Sequence, residues 1–385
     1  MKIGFITPFF SPVAGGSATA PYYLAKYLVR KGHKVFIFTS DFGRNLAKFN
    51  DEKDLTIIES SVKLKIFNSF YTPSLKSKLE SYNKLDVLHF HNFRTYQNYA
   101  AYNYAKRTNT PYVLQAHGSV PRIGSWRKLK WVYDAFFGYK LLRDATKVIA
   151  LNNIEAEQYR RFGVSEDKIA IIPNGINLSE YANLLPKGSF KKKFGIPEDK
   201  KIILYLGRIH RIKGIDLLIK AYEYLMNKMN FKDAFLVIAG PDDGYLSDAK
   251  ALAYTLGVSD SVVFVGPLYS VDKLAAYVDS DLCVLPSRYE TFPIALLEVY
   301  ACSKPIVASN LQGLKELIVD GETGLLFEAG NFKQMAEKMA YLLNDNNKAA
   351  EIGMKARGLV KERYSIDRVV DNLEELYMEI ADRDP

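Results

Sequence analysis

Short β-rich apolar runs alternate with segments of helical periodicity along almost the whole chain, which is the rhythm of a parallel sheet with crossover helices. Lys2–Phe9, Lys34–Thr39, Val87–Phe90 and Pro111–Ala116 read as strands, with a helix predicted from about Ala18 to Lys31. A second series opens at Lys201–Gly207. It continues through a helix near Ile215–Lys228, a strand Ala234–Ala239, a helix near Leu246–Leu256 and a strand Ser261–Val265. At 385 residues the chain is too long for one ordinary core, so two Rossmann-like domains are the natural parse. Asn183–Lys200 is lysine-rich and carries Pro186, Gly188, Gly195 and Pro197, the composition of a linker plus a short helix. Ser365–Ile380 sets Val369, Val370, Leu373, Leu376 and Tyr377 on one stripe, so it must pack on something.

Composition excludes several classes. An apolar content of 48% and a charged content of 25% are those of a globular protein. Cys283 and Cys302 are the only cysteines, so neither a disulfide scaffold nor a cysteine metal site is expected, and a reducing compartment fits. The opening Met1–Pro8 reads as a first strand rather than a signal peptide, and no apolar run approaches the roughly 18 residues of a membrane span. The net charge of +9 is uneven: residues 1–180 hold 26 Lys and Arg against 14 Asp and Glu. That asymmetry speaks to partners and not to fold.

The densest chemistry follows the strand-like run Asp281–Ser287. Glu290 and Glu298 flank a predicted helix N-terminus, with Pro293 expected as its first residue because its missing N–H would be unpaired there anyway. The following amides suit a phosphate, and two acids on either side suit the ends of an elongated polyhydroxyl ligand such as a nucleotide sugar. Taken alone, the pair reads equally well as one acid complementing the helix dipole and one solvated acid. After the first strand of the second series, Arg208 and Lys213 fall at the carboxyl edge, where they could neutralise a diphosphate or be plain surface cations. Pro12–Ser17, with Gly15 and Gly16, is either a close-approach loop or a tight turn; the absence of G-x-G-x-x-G ranks a nicotinamide cofactor, with Asp41 as ribose acid, well below a sugar nucleotide. His117–Gly118 closes a strand at the same kind of edge. His89 and His91 alternate on a strand near Asp86 without a convergent ligand set, so no metal is expected there. Walker and Gly-x-Ser-x-Gly motifs are absent.

The order of these motifs resembles the retaining glycosyltransferases of the GT-B fold, group-1 (family 4) type. The resemblance is carried by the Gly-Gly turn, His117-Gly118, Pro173-Asn174-Gly175-Ile176, Gly207-Arg208 with Lys213-Gly214, Phe264-Val265-Gly266, Pro286-Ser287 leading to Glu290 and Glu298, and Gly321–Phe327. It implies an α/β, GT-B architecture with two Rossmann-like domains facing across a cleft. Residues 1–182 plus 366–385 would form the acceptor-binding domain and 183–365 the nucleotide-sugar domain, with the last helix crossing back. It further implies His117, Glu290, Arg208 and Lys213 as the catalytic group. Donor binding would add Gly16, Leu268, Lys273, Phe292, Pro293, Ile294 and Glu298. Two departures stand out: Thr291 and Pro293 occupy places where many relatives have glycine, and Asn177 stands where aspartate is common.

The expected reaction is transfer of a hexose from a nucleoside-diphosphate sugar, UDP- or GDP-linked, to an acceptor hydroxyl with retention, without metal or cofactor. A GT-B sugar-nucleotide epimerase and a non-catalytic sugar-nucleotide binder are the alternatives. Pro121–Arg143 interleaves Arg122, Arg127, Lys128, Lys130, Lys140 and Arg143 with Trp126, Trp131, Phe136 and Phe137, and Lys63, Lys65, Lys76 and Lys78 form a second cluster. This composition suits a lipid-linked acceptor or an anionic membrane surface, or a core with a solvated basic face. A cytoplasmic protein, peripheral on the inner face of the membrane, is the corresponding expectation. Nothing resembles a nucleic-acid reading element.

Overall fold

The computed structural model describes residues 1–11, 16–42, 53–66, 69–82, 84–122 and 126–382. The chain separates into two compact units, Met1–Gly175 with Ile366–Pro385, and Ile176–Ser365.

In the first unit the strands are β1 (Lys2–Ile6), β2 (Lys34–Ser40), β3 (Leu55–Ser60), a small antiparallel pair β4 (Leu64–Ile66) and β5 (Ser69–Tyr71), then β6 (Val87–His91), β7 (Tyr112–Gln115), β8 (Lys147–Ala150) and β9 (Ile169–Ile171). Seven of them form one parallel sheet in the order β3-β2-β1-β6-β7-β8-β9. The order reverses on either side of β1 and β6, the arrangement that leaves a binding edge at strand carboxyl ends. The central strands read as unbroken apolar runs because helices cover both faces; Ile3, Phe5, Val87, Leu88, Val113 and Leu114 are wholly buried. β1 stops at Ile6, shorter than the expected Lys2–Phe9, since Pro8 cannot donate to a ladder.

The C-terminal helix Ile366–Ala381 belongs to this unit. Its stripe of Ile366, Val369, Val370, Leu373, Leu376 and Tyr377 is buried against Leu24, Ala25 and Leu28 of helix Gly16–Arg30. On its margin Glu374 meets Lys31 at 2.5 Å and His33 at 2.7 Å. Gly175 permits the close approach of this helix, because a Cβ there would lie 2.9 Å from the Ile366 Cα.

The second unit holds β10 (Lys201–Leu206), β11 (Ala234–Ala239), β12 (Val262–Gly266), β13 (Leu282–Leu285), β14 (Ile306–Ser309) and β15 (Leu325–Phe327). They form a parallel six-stranded sheet ordered β12-β11-β10-β13-β14-β15, again reversing at its centre, between β10 and β13. The expected linker helix is Ser189–Phe194. Buried Asp279 accepts hydrogen bonds from the backbone N–H groups of Gly188, Phe190 and Lys191 at its start. Both cysteines are free and buried.

Candidate functional site

At the centre of the second sheet two loops leave adjacent strands at their carboxyl ends. The loop after β10 runs Gly207–Gly214, and the loop after β13 runs Pro286–Pro293 into helix Ile294–Ala301. Gly214 makes their contact possible: it has φ +72°, and a Cβ there would lie 1.9 Å from the Pro286 carbonyl oxygen. Arg288 stitches the loops together. Its N–H donates to the Ile212 carbonyl, and its guanidinium reaches both oxygens of Asp216 at 2.7 Å.

Within this frame Lys213 Nζ lies 2.5 Å from Glu290 Oε1, which also accepts from Ser287 Oγ at 3.0 Å. Both side chains are largely buried, so the pair is better shielded from water than a surface bridge. Glu298, one turn into the helix, is held by Lys273 Nζ at 2.6 Å and Tyr277 Oη at 2.8 Å. The two acids sit on either side of a helix start that has no side-chain cap, so the first amides, those of Ile294 and Ala295, are presented without a capping oxygen. That N-terminus corrects one expectation. Pro293 is the cap residue, with extended backbone at φ −75° and ψ 121°, and the first helical residue is Ile294. The Phe292 side chain is buried, edge-on to Tyr364 at 5.7 Å, so this residue offers the site its main chain.

Arg208 is placed differently from Lys213. Its guanidinium meets Asp243 at 2.5 Å on the exposed side of the β11 loop, while its carbonyl accepts from the Tyr205 hydroxyl. The structure therefore brings Lys213, Glu290, Glu298 and Lys273 to the two loops and the helix, and turns Arg208 outward. Leu268 is buried just after β12, ahead of helix Ser270–Asp279 that supplies Lys273 and Tyr277.

In the first unit, Gly16 is the exposed first residue of its helix, while Pro12–Gly15 lie outside the described residues. His117 follows β7 with left-handed backbone, φ 52°. Desolvation pushes its imidazole down to about 4, so the ring is neutral at physiological pH. The next amide, Gly118 N–H, donates at 2.6 Å to Glu155, whose second oxygen accepts from Leu151 N–H. Burial raises the Glu155 carboxyl to about 7 against the pull of those two amides.

Sequence reasoning missed Tyr277 and Glu155, and gave no role to Ser287 although it stands in the motif leading to Glu290. Tyr277 carries a usable signal, since it lies four residues after Lys273 on one helix face. Glu155 carries half of one: Asn152-x-x-Glu155 has the spacing of a capping box, in which Asn152 Oδ1 accepts from the Glu155 N–H and Glu155 reaches back to the Leu151 N–H, whereas the Gly118 amide comes from another segment. Among the described residues no cluster of three or more His, Cys, Asp or Glu side chains could hold a metal ion.

Comparison with known proteins gives the family. Residues 186–359 match the family described as glycosyl transferases group 1, and residues 14–180 match glycosyltransferase family 4. An uncharacterized glycosyltransferase of Methanocaldococcus jannaschii, MJ1607, is 30% identical over 391 residues, covering 98% of each chain. The chain belongs to the group-1, family 4 glycosyltransferases. Another similar protein is the N-acetyl-alpha-D-glucosaminyl L-malate synthase of Bacillus anthracis, 26% identical over 404 residues and covering 99% of this chain and 97% of that one. Among solved structures, sucrose-phosphate synthase from Thermosynechococcus elongatus superposes with a TM-score of 0.79 at 22% identity, with 98% of each chain covered. HepE of Anabaena in complex with UDP-glucose does so with 0.78 at 19%, covering 98% of this chain and all of that one. These likenesses show the GT-B fold. For this glycosyltransferase the two parallel sheets and their central reversals are the GT-B framework.

Proposed function

We propose that this glycosyltransferase moves a hexose from a nucleoside-diphosphate sugar to an acceptor hydroxyl with retention at the anomeric carbon. The observation that carries the reading is the uncapped helix start at Ile294, flanked by Glu290 with Lys213 and by Glu298 with Lys273. In this reading Glu298 takes the ribose hydroxyls, Glu290 lies by the transferred sugar, and backbone near Leu268 faces the base. Lys213, Arg208, Lys273 and the Ile294 and Ala295 amides meet the diphosphate, and Gly16, through its backbone, and His117, toward the transferred sugar, are the first unit's own candidate donor contacts. Arg208 must leave Asp243 to do so, and that exposed pair is weak enough to exchange.

The chemistry then needs no protein nucleophile. The anomeric C–O bond to the diphosphate breaks, a C–O bond to the acceptor forms on the same face, and the acceptor proton passes to the departing phosphate oxygen. Charge develops on that oxygen, where preorganised cations and amides contribute several kcal/mol of transition-state stabilisation. Sufficient cationic charge is available from these side chains for a metal-independent reaction. HepE, a fold relative, was solved with UDP-glucose, which favours a UDP-sugar as first donor to test, ahead of a GDP-sugar.

The acceptor in this reading is a glycan or lipid-linked hydroxyl at an anionic membrane surface. The segment from Trp126 to Arg143 supports it. Its inner side is anchored by wholly buried Asp134, which binds Arg94 and Arg122 at 2.7–2.8 Å, while Trp126, Leu129, Trp131 and Phe136 are each more than half exposed among lysines and arginines. Among the described residues no helix is long and apolar enough to cross a membrane. A cytoplasmic enzyme resting on the inner leaflet fits this surface.

A thermal-shift panel of uridine, guanosine and adenosine diphosphate sugars tests the donor, followed by product analysis with and without acceptor. The expected result is a raised melting temperature with one base and release of nucleoside diphosphate that depends on acceptor. Donor consumed without acceptor would mark an epimerase, and binding without turnover would mark a non-catalytic binder. Sedimentation with anionic vesicles should fall as salt rises; no sedimentation at low salt removes the membrane component.

A further inference from the structure

Two histidines from adjacent strand ends meet inside the first unit. His91 closes β6 and His117 follows β7, and the register that sets His91 opposite Gln115 brings the two rings together. His91 Nδ1 lies 3.0 Å from His117 Nε2, with the rings stacked at 5.3 Å and 19°. The His91 ring also stacks on His89 at 4.0 Å, and Phe5 meets its edge at 4.7 Å. His89 and His91 are wholly buried. Burial keeps all three imidazoles below their ordinary range, so the His91–His117 contact joins two neutral rings.

A hydrogen bond between neutral imidazoles has two forms, according to which ring gives the proton. The other nitrogen of His91 decides between them. His91 Nε2 is buried without a hydrogen-bond partner. With its proton on Nε2, His91 would bury an orphaned N–H; with the proton on Nδ1, only a lone pair goes unused. Orphaned buried N–H groups are the rarer case. His91 therefore donates from Nδ1, His117 Nε2 accepts, and the single proton of His117 must sit on its own Nδ1. The backbone just after His117 is held separately, by the Gly118 N–H donating to Glu155.

We infer that His91 is a positioning residue that locks His117 in the Nδ1–H tautomer, so that His117 offers a neutral N–H donor to an oxygen of the bound sugar. The inference rests on the reading of His117 as a group that touches the transferred sugar. It adds a chemical restriction: the ligand atom facing His117 is an acceptor oxygen, and His117 does not supply a proton as an acid. His91 itself touches no substrate in this arrangement.

Two-bond proton–nitrogen correlation spectra of wild-type enzyme labelled with nitrogen-15 histidine, near neutral pH, read the tautomer directly. His117 is assigned by its disappearance in His117→Gln. The expected spectrum shows a protonated Nδ1 and a bare Nε2. His91→Leu removes the donor and should move the His117 proton to Nε2, lowering kcat about tenfold, the worth of one hydrogen bond, with little change in donor KM. His91→Asn restores an N–H close to the position of Nδ1 and should keep both the tautomer and kcat within about threefold of wild type. A wild-type His117 protonated on Nε2 overturns the proposal, whatever the variants do. Equal impairment of the Asn and Leu variants also overturns it, because loss of packing alone would explain both. A wild-type enzyme that shows the Nδ1–H tautomer yet transfers no sugar from any donor would instead overturn the functional reading and leave the tautomer assignment standing.

Discussion

At the scale of single residues, the acids proposed to hold sugars are each held in advance by a lysine. Lys213 neutralises Glu290 and Lys273 neutralises Glu298, so in the proposed reading each acid reaches the sugars without standing as an unpaired buried charge. Removing both Arg208 and Lys213 by alanine should lower kcat at least a hundredfold while the fold persists, measured as initial rates at saturating donor. Turnover near wild type would place the leaving group elsewhere. A second expectation concerns acid. His89, His91 and His117 have folded values below the ordinary 6.5, so protonation favours the unfolded chain. Their contribution is intact above about 6.5 and is lost as pH falls through that value toward about 4, the folded value of His117. Glu155 runs the other way: its folded value of about 7 lies above 4.5, so its contribution is present below 4.5 and is lost as pH rises through 7. Three histidines outweigh one carboxyl between pH 6.5 and 4.5. The melting temperature of the intact enzyme should therefore drop across that window, and His117→Gln should make the drop shallower.

At the scale of elements, the site depends on two loops that leave neighbouring strands and touch through a glycine. Gly214→Ala places a methyl group against the Pro286 carbonyl and also strains a left-handed backbone. The loops must separate, carrying Lys213 away from Glu290. Loss of donor-induced thermal stabilisation is the expected result, with a fall in intrinsic melting temperature alongside it; an unchanged donor response would show that loop contact is dispensable. Much of this was legible in sequence. Strand ends, both acids and Lys213 were placed from local pattern, because apolar runs and glycines act on their own neighbours. The Pro293 expectation missed by one residue, since an N-cap and a first helical position differ only in ψ, which tertiary packing sets. Arg208 was expected beside Lys213, and its partner Asp243 lies on another strand's loop, beyond the reach of local pattern.

At the scale of the whole molecule, the chain closes the first unit with its last helix. Truncation after Ser365 would expose seven apolar side chains on one stripe and uncover their partners on helix Gly16–Arg30. Such a patch drives association, so the truncated protein should pass into the insoluble fraction, whereas a cut after Ala381 should remain soluble. Recovery of a soluble, donor-responsive protein lacking residues 366–385 would show that this packing is not required.

The sequence by itself determined the α/β class, the two series of parallel strands and the identity of the residues at the strand ends, because hydrophobic periodicity, proline and glycine act over a few residues. Only the tertiary structure decided which of those residues meet. Strand order sets His91 beside His117, helix packing sets Lys273 and Tyr277 on Glu298, and Glu155 reaches the amide of Gly118. Each of these contacts joins different elements, so no local pattern records it, and each depends on burial that exists only once the sheets have formed.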